Sequence, residues 1–303
     1  QAPKTLPPAE QPEFLTDAES SLMTHDRWTP RGVHRVPIHF GHGVRGNLYF
    51  KDGAPTPMPV VVWLHPLSYH SGYNEGYGVQ GTTVYQRLAE NGFAVIAYDQ
   101  CGFGLRLLEG RDFYKNHPRW SKLGRMVMDA RAAVSFAVEG RDAAKSAIPE
   151  FDTKRVFLLG YSSGALSAMY AGALDDRIAG VACFSGWTPL RDTRNAKVTG
   201  GNRRLWELHA LQPRLGLFDG RESEMPFDYD DVLGLVLPKP CLVVTPKRDR
   251  YADFSAVVEV IDKVRSAKPR IAKGSFAWLA PDDTNRFQAD QHQEFINWTK
   301  TLE

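Results

Sequence analysis

The chain has 303 residues, 43% of them hydrophobic and 24% charged, and 37 Lys and Arg stand against 35 Asp and Glu for a formal net charge of +2. That is the composition of a globular protein with a sizeable core, and so even a charge balance gives no argument for a nucleic-acid partner. No apolar run approaches the ~20 residues of a membrane-spanning helix, and the three cysteines, Cys101, Cys183 and Cys241, show no metal-ligand spacing.

Residues 1–30 read as an extended arm, polar and interrupted by prolines. With Gln1 rather than Met in first place, the chain reads as either processed or truncated, and the expectation is a secreted or periplasmic location, with a cytoplasmic one left open. Residues 31–303 read as one domain. Apolar segments at 35–40 and 47–50 flank a glycine-rich turn and predict an antiparallel hairpin. Residues 58–64 and 93–98 are continuous apolar runs, as in strands covered on both faces. Between them, residues 79–91 have helical spacing and stop before Gly92. Leu123, Val127, Ala130, Val134 and Ala137 recur at helical intervals. Further strands are predicted at 155–160, 178–184, 236–245 and 276–279. Helices follow the third of these (Val257, Ile261, Val264) and the last (Phe295, Ile296, Leu302).

Strands alternating with helices predict a mostly parallel sheet with helices on both faces, and ligands then bind at the strand C-termini. Residues 187–236, between the sixth and seventh strands, break the alternation. They are polar, rich in Arg and Gly, and carry Leu205-Trp206-Glu207-Leu208. They predict a cap-like insertion over that rim, against the plainer reading of a surface excursion.

The chemistry centres on Gly160-Tyr161-Ser162-Ser163-Gly164, where an apolar strand breaks and resumes as small residues suited to a helix. Glycines on either side allow a turn tight enough to lift the Ser162 hydroxyl out of the sheet. The Ser163 N–H then opens the helix and can face an oxyanion. A serine that merely caps the helix is the alternative. In Trp63-Leu64-His65-Pro66-Leu67, a strand runs into a turn that supplies a second oxyanion N–H in acyl-transfer enzymes. Pro66 has none, so Leu67 is the candidate donor, and His65 reads as a loop-holding residue. Asp249, just past a late strand, is the candidate acid, whose task is to orient an imidazole.

The base is the difficulty. Its expected loop, residues 280–287, contains no histidine. His292 is the only histidine after Asp249, and it shares a helix face with Phe295, Ile296 and Thr299, so catalysis and core packing are both open for it. Tyr69, Tyr73, Tyr77, Trp187 and Trp206 read either as the lining of a sugar-sized pocket or as packing under loops.

Taken together, His65-Pro66, Asp99-x-x-Gly102-x-Gly104, Trp120-Ser121-x-Leu123-Gly124, Asp129, the Ser162 pentapeptide, Pro226-Phe227-Asp228 and Pro238-Lys239-Pro240 resemble the α/β-hydrolase superfamily, in its dienelactone hydrolase and acetyl xylan esterase-like branch. The resemblance implies a Ser162 nucleophile, an Asp249 acid and oxyanion groups from Ser163 and Leu67, acting without metal or cofactor on a small acyl ester such as an acetylated carbohydrate. Two departures stand out. Cys101 and Leu105 replace the usual Arg and Ser near Asp99, and the usual His-x-Phe is matched by Asn285-Arg286-Phe287. Asn cannot act as a base near neutral pH. Either His292 or His70 substitutes, or the chain is a silent binding protein on this fold; a peptidase or lipase is a further alternative.

Overall fold

The structure is a computed structural model and describes residues 32–74, 82–139, 148–194, 201–267 and 275–302. The expected N-terminal arm and Tyr77 lie outside the described residues.

Eight strands form one sheet in the order β1-β2-β4-β3-β5-β6-β7-β8. They are β1 (Val33–Phe40), β2 (Val44–Lys51), β3 (Met58–Leu64), β4 (Ala94–Tyr98), β5 (Phe151–Tyr161), β6 (Gly180–Phe184), β7 (Cys241–Val244) and β8 (Phe276–Leu279). β1 pairs antiparallel with β2, and β2 with β4. Every other pairing is parallel, so β3, β5, β6 and β7 end along one rim.

The central strands are apolar throughout because both faces are covered. Val60, Val62 and Leu64 of β3 and Val156 and Leu158 of β5 face one buried cluster. Val61, Trp63, Phe157 and Leu159 face the other. The first cluster is completed by α3 (Lys122–Val138), α4 (Ser163–Leu174), α5 (Tyr229–Val236) and α6 (Phe254–Ala267). The second is completed by α1 (Val84–Glu90) and α7 (Ala289–Lys300). This is the doubly covered, mostly parallel sheet that the resemblance implies.

Three elements differ from the sequence reading. The helix expected over residues 79–91 begins at Val84, behind the Thr83 cap, and its expected start at 79–81 lies outside the described residues. A helix not anticipated, α2 (Leu107–Asn116), buries only Gly110 and Phe113, too little apolar surface to leave a periodic signal. Residues 236–240 are not strand: Val236 ends α5 and β7 begins at Cys241. Pro238 and Pro240 have no N–H to give a ladder, which keeps them out of a central strand. Between β6 and β7 the described residues make short turns of helix at Arg204–Leu208, Pro213–Phe218 and Glu222–Glu224 before α5.

A buried ion network ties the loop after β4 to the body. Asp129 is 2% exposed, and its carboxylate accepts from Arg106 Nη1 at 2.7 Å and lies 3.1 Å from Arg125 Nε. Arg106 also donates to the Asp99 carbonyl at 3.0 Å and to Glu109. Asp99 in turn accepts from the Tyr73 N–H at 2.9 Å and the Leu105 N–H at 2.8 Å. A Cβ at Gly72 or Gly104 would run into the Asp99 carboxylate, so in Asp-x-x-Gly-x-Gly the last glycine answers a close approach, while Gly102 is required by its φ of +92°. Removing one partner of a buried pair typically costs about 3–5 kcal/mol. Arg106→Leu is therefore expected to lower stability by about 3 kcal/mol, as a fall in the urea midpoint at unchanged slope; a change below ~1 kcal/mol would mean the network is not a buried anchor.

Candidate functional site

Ser162 stands between β5 and α4 with φ 54° and ψ −119°. A non-glycine residue held there carries about 1–3 kcal/mol of strain, tolerated only where the surroundings impose it. They do so by contact. A Cβ at Gly160 would strike the Gly164 carbonyl, one at Gly164 would strike the Leu64 carbonyl, and one at Gly186 would strike the Ser162 backbone. The Ser162 N–H donates to the Phe184 carbonyl at 2.9 Å, and its own carbonyl accepts from the Ala165 N–H at 3.0 Å. β3, β6 and α4 thus close on the serine at the end of β5 and leave its side chain facing a cleft.

The cleft holds about 720 Å³ and is lined by Pro66, Leu67, Tyr69, Tyr161, Ser162, Arg204, Leu208, His209, Arg248, Arg250, Tyr251, Thr284 and Asn285. A niche of about 10 Å³ adjoins it, lined among others by Leu67, Ser163, Trp187, Leu205, His209 and Leu211. Leu67, Arg204 and His209 border both spaces.

His65 lies beneath the rim, 1% exposed. Its Nε2 accepts the Gln100 N–H at 2.9 Å, so the proton is on Nδ1, which donates to the Pro66 carbonyl at 2.7 Å. Gln100 closes the ring by donating to the His65 carbonyl and accepting from Ser167. Burial holds this imidazole neutral, with its pKa lowered to about 4. It props the Leu67 turn, the structural role expected of it.

Asp249 is 8% exposed. Its Oδ1 accepts from the Tyr251 N–H at 2.9 Å, and its Oδ2 accepts from Asn285 Nδ2 at 2.9 Å. Burial pushes the carboxyl up from its ordinary value, while these two bonds and the nearby Arg204 oppose the rise. The seat next to Asp249 is thus taken by the Asn285 amide, and the loop that brings it is pinned at both ends. Arg286 pairs with Asp283 and Asp290. Phe287 stacks on Trp63 and Tyr161, with centroids 5.2 and 5.1 Å away.

The sequence-predicted residues separate. Ser162, Leu67 and Tyr69 line the cleft. Ser163 and Trp187 line the niche, where Trp187 packs edge-on against Tyr229. His70 is exposed on the turn after Leu67 and lines neither space. Tyr73 packs beneath its loop against Asn47 and Tyr49, and Trp206 lies partly buried beside the core. His292 does not reach the cleft. It is 3% exposed behind Phe287, with centroids 4.8 Å apart and no hydrogen-bond partner for either ring nitrogen among the described residues. The helix-face reading of His292 therefore matches its position, and the catalytic one does not: α7 packs that face onto the sheet.

Residues the sequence did not single out complete the site. His209 Nδ1 lies 2.8 Å from the Tyr69 hydroxyl. Burial and the charge of Arg204 lower its pKa to about 4, so the ring is neutral at pH 7. Arg204 and Arg250 both stand over the Tyr251 ring, 4.1 and 4.6 Å from its centroid. Both Arg204 and His209 flank the Leu-Trp-Glu-Leu segment, and nothing in its local pattern says which side chains turn inward.

The pKa of His292 is likewise lowered to about 4, first by burial and then by Arg87. Between pH ~6.5 and ~4 the unfolded chain takes up a proton there that the folded chain refuses, so stability falls as pH falls through that window. His292→Leu is expected to raise stability at pH 7 by about 1–3 kcal/mol, since two unpaired buried polar atoms disappear. It should also flatten the loss between pH 6.5 and 4, with Ser162 reactivity unchanged. A destabilised variant with reduced Ser162 labelling would contradict this placement.

Residues 60–235, more than half of the chain, match the family described as serine aminopeptidase, S33. No curated protein matches the sequence. Among solved structures, a putative acetyl xylan esterase from Bacteroides fragilis superposes with a TM-score of 0.66 at 13% identity, over 99% of this chain and 84% of that one. A glucuronoyl esterase from Solibacter usitatus gives 0.64 at 16% identity, over 89% and 81%. A putative dienelactone hydrolase from Klebsiella pneumoniae gives 0.54 at 13% identity, over 89% and 96%. At such identities these structures share the fold with this chain. The match over its central half, with the glycine-flanked serine inside it, places the chain in the serine aminopeptidase S33 family of α/β-hydrolases.

Proposed function

We propose that the protein is a serine carboxylester hydrolase in which Ser162 is the nucleophile, Asp249 a structural remnant of the usual acid, and His209 of the insertion the base. The observation that carries this reading is the strained Ser162 opening on a cleft whose one imidazole, among the described lining residues, is His209. With Nδ1–H donated to the Tyr69 oxygen, Nε2 is free to accept the Ser162 proton as Oγ attacks the ester carbon. The tetrahedral oxyanion is held by the Ser163 and Leu67 N–H groups, a pair that borders the same niche. On collapse the proton passes to the leaving alcohol, and water then releases the acid by the same route. A niche of about 10 Å³ takes one group the size of water or a methyl, which favours a short acyl group. The cleft has the volume of a small-molecule site, consistent with a carbohydrate alcohol. The esterases named among the structural neighbours support an ester over a peptide.

A second reading, a silent binding protein on a hydrolase fold, is favoured by the Asn285 to Asp249 bond, because an amide in that seat takes up no proton. Hydrolysis of p-nitrophenyl acetate separates the two. The parent is expected to exceed Ser162→Ala clearly, and equal rates leave only the binding reading. His209→Ala should lower the Ser162-dependent rate by about 10²-fold or more.

Asn285→His tests the seat itself. Nδ2 of Asn and Nδ1 of His sit at the same place on Cγ, so an imidazole can keep the 2.9 Å bond to Asp249 and project Nε2 beyond it. The expected result is a rise in kcat of about 10²–10⁴-fold, and the same rate in the His209→Ala background. A double variant as slow as His209→Ala alone would show that His209 acts through the architecture of the cleft.

A further inference from the structure

The cleft is lined by three arginines, Arg204, Arg248 and Arg250, and by no carboxylate among its described lining residues. Asp249 lies behind the lining with both oxygens engaged. Arg248 is already answered, with Nε 3.1 Å from Asp282 Oδ1 and Nη2 bonded to the Asp282 carbonyl. Arg250 donates to the Tyr251 hydroxyl. Arg204 is different: its guanidinium makes no ion pair or hydrogen bond with any described residue, and it rests on the Tyr251 ring with the Asp249 carboxylate near enough to favour its charge. Burial makes its charge costly and lowers its pKa, with Arg250 adding to the shift and Asp249 and Tyr251 opposing it. Its field also contributes to the neutrality of His209. A half-buried guanidinium stacked on one face, with its N–H edge unspent, is preorganised for a planar anion.

The position of the charge says which end of the ester bears it. Arg204 stands where niche and cleft meet and lines both, while Arg250 lines the cleft alone. The niche has room only for a short acyl group, so a carboxylate on Arg204 has space only on the cleft side, which is left for the alcohol. From this we infer that the alcohol half of the substrate carries a free carboxylate, held by Arg204, so that the substrate is a short acyl ester of a hydroxylated acid. The assignment of acyl group to niche and alcohol to cleft rests on the esterase reading, but the anion site does not. A sugar acid and an aliphatic hydroxy acid share this chemistry.

The test is calorimetric titration of the full chain with the alcohol products themselves: D-glucuronate against D-glucose, and glycerate against glycerol. Hydrogen bonds to charged partners contribute about 1.5–3 kcal/mol, so each acid should bind roughly ten- to a hundredfold more tightly than its neutral counterpart. The preference should weaken with salt. It should vanish in Arg204→Gln, partly return in Arg204→Lys, and persist in Arg214→Gln, an exposed arginine of the same insertion. The tighter of the two acids identifies the source. Equal binding of acid and neutral alcohol, no binding of either acid, or a preference that survives Arg204→Gln each overturns the inference. Acid binding without Ser162-dependent turnover would sink the hydrolase reading and leave the anion site standing; turnover without acid preference would do the reverse.

Discussion

Everything at this site depends on one strained residue being more comfortable where it is than anywhere else. Ser162 at φ 54° is not held by its own side chain but by three glycines whose missing Cβ atoms let β3, β6 and α4 close on the turn. Because parallel strands end along one rim, the same closure aligns the Ser163 N–H, the Leu67 turn and the end of β7. The strain is therefore repaid by the packing of the whole sheet, through fully buried residues such as Val62, Leu158 and Val243.

Around that point the structure separates positioning from chemistry. His65, Gln100 and Ser167 form a closed hydrogen-bond chain beneath the rim, and Asp99 with Arg106 and Asp129 clamps the two adjacent loops. These buried polar groups are satisfied, which makes them rigid supports. The groups that face the cleft are the under-committed ones: the Ser162 hydroxyl, one nitrogen of His209 and the guanidinium of Arg204. Unspent hydrogen-bonding capacity on a rigid frame is what a ligand can use.

On the Asp249 side an amide stands where the resemblance leads one to expect an imidazole. Asn285 keeps the hydrogen bond that an imidazole would make to Asp249, and Phe287 keeps the loop in its aromatic slot between Trp63 and Tyr161. Geometry survives and basicity does not, because an amide nitrogen has no lone pair to offer. The segment between β6 and β7 brings an imidazole and a cation, His209 and Arg204, to the same cleft.

The sheet was legible because its signals are local. Continuous apolar runs bounded by turns, as at residues 58–64, read as covered strands whatever they pack against, and Gly160-Tyr161-Ser162-Ser163-Gly164 announces a tight turn by itself. The absence of a histidine in residues 280–287 was equally plain. The apolar run at 236–245 misled only about where a strand begins, although Pro238 and Pro240 mark the limit. What the linear pattern did not determine is which distant side chains share a space. His292 has the spacing of a core helix and the identity of a base, and only the packing of α7 behind Phe287 decides between them. His209 and Arg204 sit in a segment without periodicity, between β6 and β7, where no repeat of 2 or 3.6 assigns a side chain to a face. Their direction is set by long-range contact with Tyr69 and Tyr251, 140 and 47 residues away along the chain, and contact of that kind exists only once the sheet has formed.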